Sequence, residues 1–393
     1  MRRWAAVLAV LSSVVIGGVL AAAGASVATG VVVIAPGASV ASDAVSASVC
    51  QTTAYVPAGG EDRVSTIDAP TRTKDPNDIL FSGTGNFASA VAITPDGKTA
   101  FVVLTGRNAV ATIDVATRTL NPSNIPVGGS PNDVAITPNG TTAFVTNASD
   151  NTVSTIDVAT RTKDAPDIAV GMQPERVAIT PNGKQAWVTN FDGDSVSTID
   201  VATRTKNPTD VAVGPNPDGI AFTPDGTTAY VANRDGTDPT PDPSKSGKVS
   251  TIDVATRTKD PTDISGLQHP AGVAVTPDGK TAFVTDFFNP GGPAYVSTID
   301  VATRTKDPDE IVTNASPIAV AITPDGVQAY TANLDGGDIT TIDVATRTAP
   351  GQDVPVGSAP ADVAFTPCAA TPTPPPPPRP PANPVEVGPT FTG

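Results

Sequence analysis

Residues 134–170 read VAITPNGTTAFVTNASDNTVSTIDVATRTKDAPDIAV, and the order of these phrases recurs along almost the whole chain. The phrase TID returns at Ile67, Ile113, Ile156, Ile199, Ile252, Ile299 and Ile342, and the phrase TP at Pro95, Pro138, Pro181, Pro224, Pro277, Pro324 and Pro367. Seven copies spaced by 43–53 residues match the period of a four-stranded propeller blade. The expected fold is all-β: a seven-bladed β-propeller whose ring is closed by N- and C-terminal strands sharing one blade.

Each copy holds four short runs rich in Val, Ile, Thr and aromatics, separated by turn residues, and these runs read as strands. VAITP is almost wholly apolar, as a strand covered on both faces should be. The Asn-Gly or Asp-Gly after it signals a tight hairpin. The second run carries an aromatic at one fixed place: Tyr55, Phe101, Phe144, Trp187, Tyr230, Phe283 and Tyr330. Seven equivalent aromatics point to packing between neighbouring blades. The Asp of VSTID is expected to accept hydrogen bonds from the ATRT turn that follows, which makes it a turn cap and not a catalytic acid. The fourth run, DIAVG and its counterparts, is the outer edge strand, with Pro and Asp discouraging pairing with other chains.

Ring closure is also legible. The last copy stops at VAFTPC, and the missing continuation stands near the N-terminus as Cys50-Gln-Thr-Thr-Ala-Tyr-Val. Cys50 and Cys368 flank the missing hairpin turn and are the only cysteines in the chain. They are read as a disulfide that replaces the turn, the alternative being two unpaired thiols. In the chain-entropy picture a loop of this length brings at most about 5 kcal/mol. The expected organisation is a signal peptide over 1–28, a low-complexity spacer over 29–49, the propeller over 50–368 and a Pro-rich disordered tail over 369–393. Arg2 and Arg3 precede an apolar stretch and small residues in the manner of a secretory signal, with an uncleaved N-terminal membrane tether as the alternative. Export to the medium or the cell envelope fits a disulfide. The tail is a polyproline II spacer or a ligand for a proline-recognising domain.

The chain has 393 residues and a formal charge of −15. That balance argues against a nucleic-acid partner. The repeats resemble the YVTN-type β-propeller repeat family of exported bacterial and archaeal proteins. The naming motif stands as Phe144-Val145-Thr146-Asn147 and Trp187-Val188-Thr189-Asn190. It loosens at Tyr230-Val231-Ala232-Asn233, Phe283-Val284-Thr285-Asp286 and Tyr330-Thr331-Ala332-Asn333, and is lost at Leu104 and Pro57. The resemblance implies the fold and a surface, envelope or binding role, since a fold does not fix a function.

Internal repetition separates scaffold from candidate site: positions alike in all copies serve the blade, and positions that differ are free to serve a ligand. One face is monotonous and carries Arg72, Arg118, Arg161, Arg204, Arg257, Arg304 and Arg347, with Lys74, Lys163, Lys206, Lys259 and Lys306 close behind. It is either a basic surface for an anionic polymer or a solvated face neutralised by nearby Asp. The opposite face varies. Its channel mouth is expected to gather Asn132, Asp133, Glu175, Arg176, Asp218, His269 and Asp362, with Pro317-Ile318 in the matching place of a sixth copy. Two loops extend it, one from Arg234 and Asp235 to Lys248 and one at Phe287-Phe288 to Gly292, as candidate contacts for a protein or cell-wall glycan. Catalytic signals are sparse: His269 is the only histidine, and no nucleophile triad, P-loop or zinc spacing stands out. No cofactor is expected. The alternative is a divalent cation held by Asp133, Glu175, Asp218 and Asp362 in a lactonase-like hydrolase. The Asn190-x-Asp192-x-Asp194 spacing suggests either the start of a calcium loop or plain turn capping. The leading expectation is a non-enzymatic exported binding protein, followed by that hydrolase and by a structural surface-layer component.

Overall fold

The computed structural model describes residues 51–234, 247–287, 294–351 and 353–368. They form seven antiparallel sheets arranged as a β-propeller, with almost no helix. Blade 1 takes residues 53–80, blade 2 residues 88–126, blade 3 residues 131–169, blade 4 residues 174–212, blade 5 residues 217–259, blade 6 residues 270–313 and blade 7 residues 317–355. Within a blade the strands pair in sequence order from the channel outward. The fourth strand is mostly broken into two short pieces, both hydrogen-bonded to the third, as at Thr162–Lys163 and Ile168–Ala169 against Thr152–Asp157. In blade 6 the outer strand runs unbroken over Thr305–Thr313.

The repeated residues do what their chemistry dictates. The seven aromatics of the second strand are all buried at 0–1 % exposure. They pack across blade boundaries: Tyr330 of blade 7 sits among Ala54, Val56 and Ile67 of blade 1. Its hydroxyl reaches across to donate to the Ala69 carbonyl at 3.1 Å. Full burial of one such side chain is worth about 1.5–3 kcal/mol, so the seven together hold the ring. Each TID aspartate caps its turn: Asp157 accepts from the Thr160 N–H and hydroxyl, both at 2.7 Å, and the pattern repeats from Asp68 to Asp343. The Asp-Gly and Asn-Gly glycines take φ near +70°, and each packs on the TP proline of the preceding blade, as Gly140 does on Pro95.

Closure follows the sequence reading. The last inner strand, Ala364–Phe365, pairs with Thr53–Ala58, the second strand of blade 1. In blade 2 the hairpin is framed by Thr94 and Thr99, with the Thr94 N–H donating to the Thr99 carbonyl at 2.9 Å and the Thr99 N–H to Thr94 Oγ1 at 3.0 Å. Thr366 and Thr53 reproduce both bonds at 2.9 Å with no turn between them. Gly97 packs on Pro367, so the blade 1–2 contact matches the others. No free cysteine stands among the described residues. Cys50 lies outside them, as do the segments 1–49 and 369–393 and the contact candidates Asp235 and Phe288.

Candidate site at the channel mouth

The motif residues build the mouth. Thr146 of the Phe144-Val145-Thr146-Asn147 phrase accepts from the Asp133 N–H at 3.0 Å and donates to the Glu175 carbonyl of the next blade at 3.0 Å. Thr189 repeats this with the Arg176 N–H and the Asp218 carbonyl. The inner strands carry a bulge here, between Pro131 and Val134 and at the matching places of the other blades. The motif asparagine pins the incoming loop: Asn190 accepts from the Gly171 N–H at 3.1 Å and donates to Ser195 and Ser197 at 3.0 Å. Asp194 accepts from the Asn216 N–H at 3.1 Å. Both ends of the calcium-like spacing are therefore committed to backbone N–H groups of neighbouring loops, and not to capping their own turn.

The residue after the motif is Gly59, Thr105, Ala148, Phe191, Arg234, Phe287 or Leu334. Each donates its backbone N–H to the carbonyl of the rim residue two positions before the inner bulge, at 2.9–3.1 Å. Those rim residues are Ala359, Phe87, Ser130, Gln173, Asn216, His269 and Ser316, and all but His269 take φ of 48–56°. This register corrects the expected alignment of the copies. His269 stands on the rim, while the blade 6 equivalents of Asn132-Asp133 are Ala271-Gly272, and those of blade 7 are Ile318-Ala319. The prolines Pro131, Pro270 and Pro317, each bridged to the motif Asn or Asp, set the true register.

The channel-facing residues are Ala90, Asp133, Arg176, Gly219, Gly272, Ala319 and Asp362, one per blade; six of them, Ala90 apart, line a cavity of about 130 Å³. On one side the backbones nearly touch: a Cβ on Gly219 would lie 2.2 Å from the Ala271 carbonyl oxygen. On the other side carboxylates bridge the blades, with Asp133 Oδ2 accepting from the Val177 N–H at 2.8 Å and Asp362 Oδ2 from the Val91 N–H at 2.9 Å. Arg176 reaches between them, 3.9 Å from Asp133 Oδ1 and with Nε 3.5 Å from Asp218 Oδ1. These are ion pairs too long for hydrogen bonds.

The electrostatics follow from crowding. Burial pushes Asp133 up to about 6, against the pull of Arg176, and nearby Asp362 adds to the rise. Burial and then the Asp218 charge push Glu175 up to about 7. Burial raises Asp362 as well, opposed by Arg176. Burial works against the charge on Arg176, but Asp133, Asp218, Asp362 and Glu175 outweigh it and hold the proton on.

Above this layer, Asn132 Nδ2 donates to Glu175 Oε2 at 3.0 Å. Asp218 is 1 % exposed and pairs with the Arg234 guanidinium. Arg234 Cζ lies 4.7 Å from the Phe287 ring centroid and 5.9 Å from that of Phe191. Phe191, Arg234 and Phe287 occupy the same position in three consecutive blades, and that position meets the mouth carboxylates. Variation between copies at the residue after the motif was the signal for Phe191, which sequence reasoning missed. Among the described residues no three His, Cys, Asp or Glu come together as a metal-ligand set.

The monotonous face is largely self-neutralised. Each of the five lysines pairs with a carboxylate four residues on, such as Lys163 with Asp167 at 2.7 Å. Arg118, Arg204, Arg304 and Arg347 pair with Asp75, Asp164, Asp260 and Asp307 of the preceding blade. In the copies preceding Arg161, Arg257 and Arg72 the sequence carries Asn121, Asn207 and Pro350 in place of that Asp.

The sequence matches no protein-family model and no curated protein. Solved structures do match. A functionally unknown protein from Desulfotomaculum acetoxidans aligns with a TM-score of 0.67 at 16% identity, over 81% of this chain and 99% of that one. A putative 6-phosphogluconolactonase from Bacteroides fragilis aligns with a TM-score of 0.63 at 18% identity, over 81% and 99%. Hydrazine synthase of Kuenenia stuttgartiensis aligns with a TM-score of 0.62 at 21% identity, over 72% and 90%. These likenesses establish the seven-bladed fold. At such identities they carry no activity across.

Proposed function

We propose that the chain is an exported, non-enzymatic propeller of the YVTN type that binds a partner in or near the cell envelope through its varied face. One observation carries this reading. Phe191, Arg234 and Phe287, from three neighbouring blades, converge with Asp218 and Glu175 into a cluster that the repeat does not require. The rim beside it exposes apolar surface at Met172 and, on blade 2, at Phe87, 59 % and 57 % accessible. The opposite face offers paired charges with few uncommitted groups. In this reading the segment 1–28 directs export, the Cys50–Cys368 link latches the ring, and the tail 369–393 spaces it from its surroundings.

The test uses a photo-crosslinking residue placed in the full chain in its native cell, at Gln173 or Asn216 on the varied face and at Lys98 or Lys184 on the other. The binding reading expects discrete adducts from the first pair only. Adducts from the repeated face alone, or from neither, overturn it.

A hydrolase at the channel mouth is the second reading, drawn from Glu175, an acid that burial and the neighbouring Asp218 push up to about 7. It requires turnover of a lactone or ester that Glu175→Gln abolishes. A surface-layer role would instead appear as ordered self-association of the purified chain.

A further inference from the structure

The cluster at the mouth has the composition of a cation receptor, and its present occupant belongs to the protein. Two aromatic rings flank the Arg234 guanidinium within about 6 Å, the range in which the ring quadrupole attracts a cation. A buried carboxylate, Asp218, pairs with one end of it. Glu175 lies close enough for the Arg234 charge to act on it, and it has surplus capacity to ionise. Arg176 already serves Asp218 from below, so the cluster has a second cation of its own. Four carboxylates, Asp133, Glu175, Asp218 and Asp362, thus face two guanidiniums.

The surrounding surface has the same sign. On the varied face the exposed carboxylates Glu61, Asp150, Asp192, Asp194 and Asp335 outnumber the exposed cations Arg107 and Lys248 among the described residues. The other lysines and arginines of the ring lie mostly on the repeated face, where many are paired.

We infer that the cage of Phe191, Phe287, Asp218 and Glu175 is the binding site for a guanidinium or ammonium group carried by a protein partner, and that Arg234 is a resident stand-in displaced when the partner docks. The partner is then a basic segment presenting an arginine or lysine, not a neutral glycan. This deepens the binding role proposed above and rests on it for the partner, though not for the cage chemistry. Arg234 sits directly before the inserted loop, so its withdrawal does not disturb a strand. As a tethered competitor it sets a threshold: only a cation offered with additional contacts on the acidic face replaces it.

The experiment needs no knowledge of the partner. The full chain carrying Arg234→Ala is titrated with n-butylguanidinium and with n-butylamine at fixed ionic strength, and binding is read by calorimetry and by the rise in Tm. The expected result is saturable binding at least tenfold tighter than to the wild type. Adding Phe287→Ala or Phe191→Ala should weaken it by at least fivefold. Neutral n-butylurea should not bind. The inference is overturned if Arg234→Ala gains no affinity over wild type, or if the urea binds equally well. If Arg234→Ala does not fold, Arg234→Gln keeps the stem and is titrated in its place under the same criteria. Failure of the cation titration alongside varied-face crosslinks would reject the cage and retain the binding face. Cation binding with no crosslinks would do the reverse.

Discussion

Glu175→Gln should make the protein more stable in alkali, a direction opposite to that of most substitutions. The Glu175 carboxyl is pushed up to about 7 by burial and by the Asp218 charge, from an ordinary 4.5. Between those values the native state holds a proton that the unfolded chain has lost, so stability falls as pH rises through the window. Each unit is worth about 1.36 kcal/mol, which sets a ceiling of about 3 kcal/mol for the cost at pH 8.5. Glu175 keeps an edge open to the mouth, and solvent there reduces the cost to about 1–2 kcal/mol. Glutamine imitates the protonated form and can still accept the Asn132 amide bond. Urea midpoints at pH 4, 7 and 8.5 should therefore coincide with wild type at pH 4 and exceed it at pH 8.5. The fall between about pH 4 and 6 should persist, because Asp133, held at about 6, supplies it. A variant less stable than wild type at pH 8.5, or one whose profile runs parallel to wild type above pH 6, would refute this account of the mouth.

Arg176→Met removes the cation that Asp133, Asp218 and Asp362 share. It should cost about 3–5 kcal/mol at pH 7.5 and less at pH 5, where Asp133, held at about 6, takes up its proton, as thermal melts at the two pH values will report. Asn207→Asp supplies the carboxylate that Arg257 lacks and that other blades provide. A gain of about 0.2–1 kcal/mol in low salt, shrinking in about 1 M NaCl, is expected from denaturant titration. Cys368→Ser should lower stability by up to about 5 kcal/mol, and the intact wild-type chain should gain two protons in mass on reduction. An unchanged mass would remove the latch.

The architecture was legible because a blade cannot bury its own faces, so the sequence must state the same solution seven times. Aromatics, turn aspartates and Asp-Gly glycines each recur at a fixed register, and each meets its neighbour as periodicity demands. Closure was legible for the same reason: a missing hairpin at one end and its second half at the other leave one arrangement in which Thr53 and Thr366 make the usual pair of bonds. Whether the arginine ring was a surface or a set of pairs could not be read from the arginines. It depended on the residue after each TK or its counterpart, Asp in four copies, Asn in two and Pro in one.

The mouth was harder to read for a physical reason. A residue that differs between copies is free of the blade's own constraint, yet it can still answer to the blade beside it. Asp133 and Asp362 vary from their counterparts and nonetheless bridge blades through backbone N–H groups, doing with a side chain what Gly219 and Gly272 do by close approach. Variation therefore marks two populations. One fills the channel and seals the ring around Arg176. The other, one layer up, is the position after the motif, where the same backbone bond is made in all seven blades while the side chain changes from blade to blade. A scaffold that fixes the backbone of a position and leaves its side chain unconstrained is suited to carry recognition. In this chain that freedom falls, in three successive blades, on Phe191, Arg234 and Phe287.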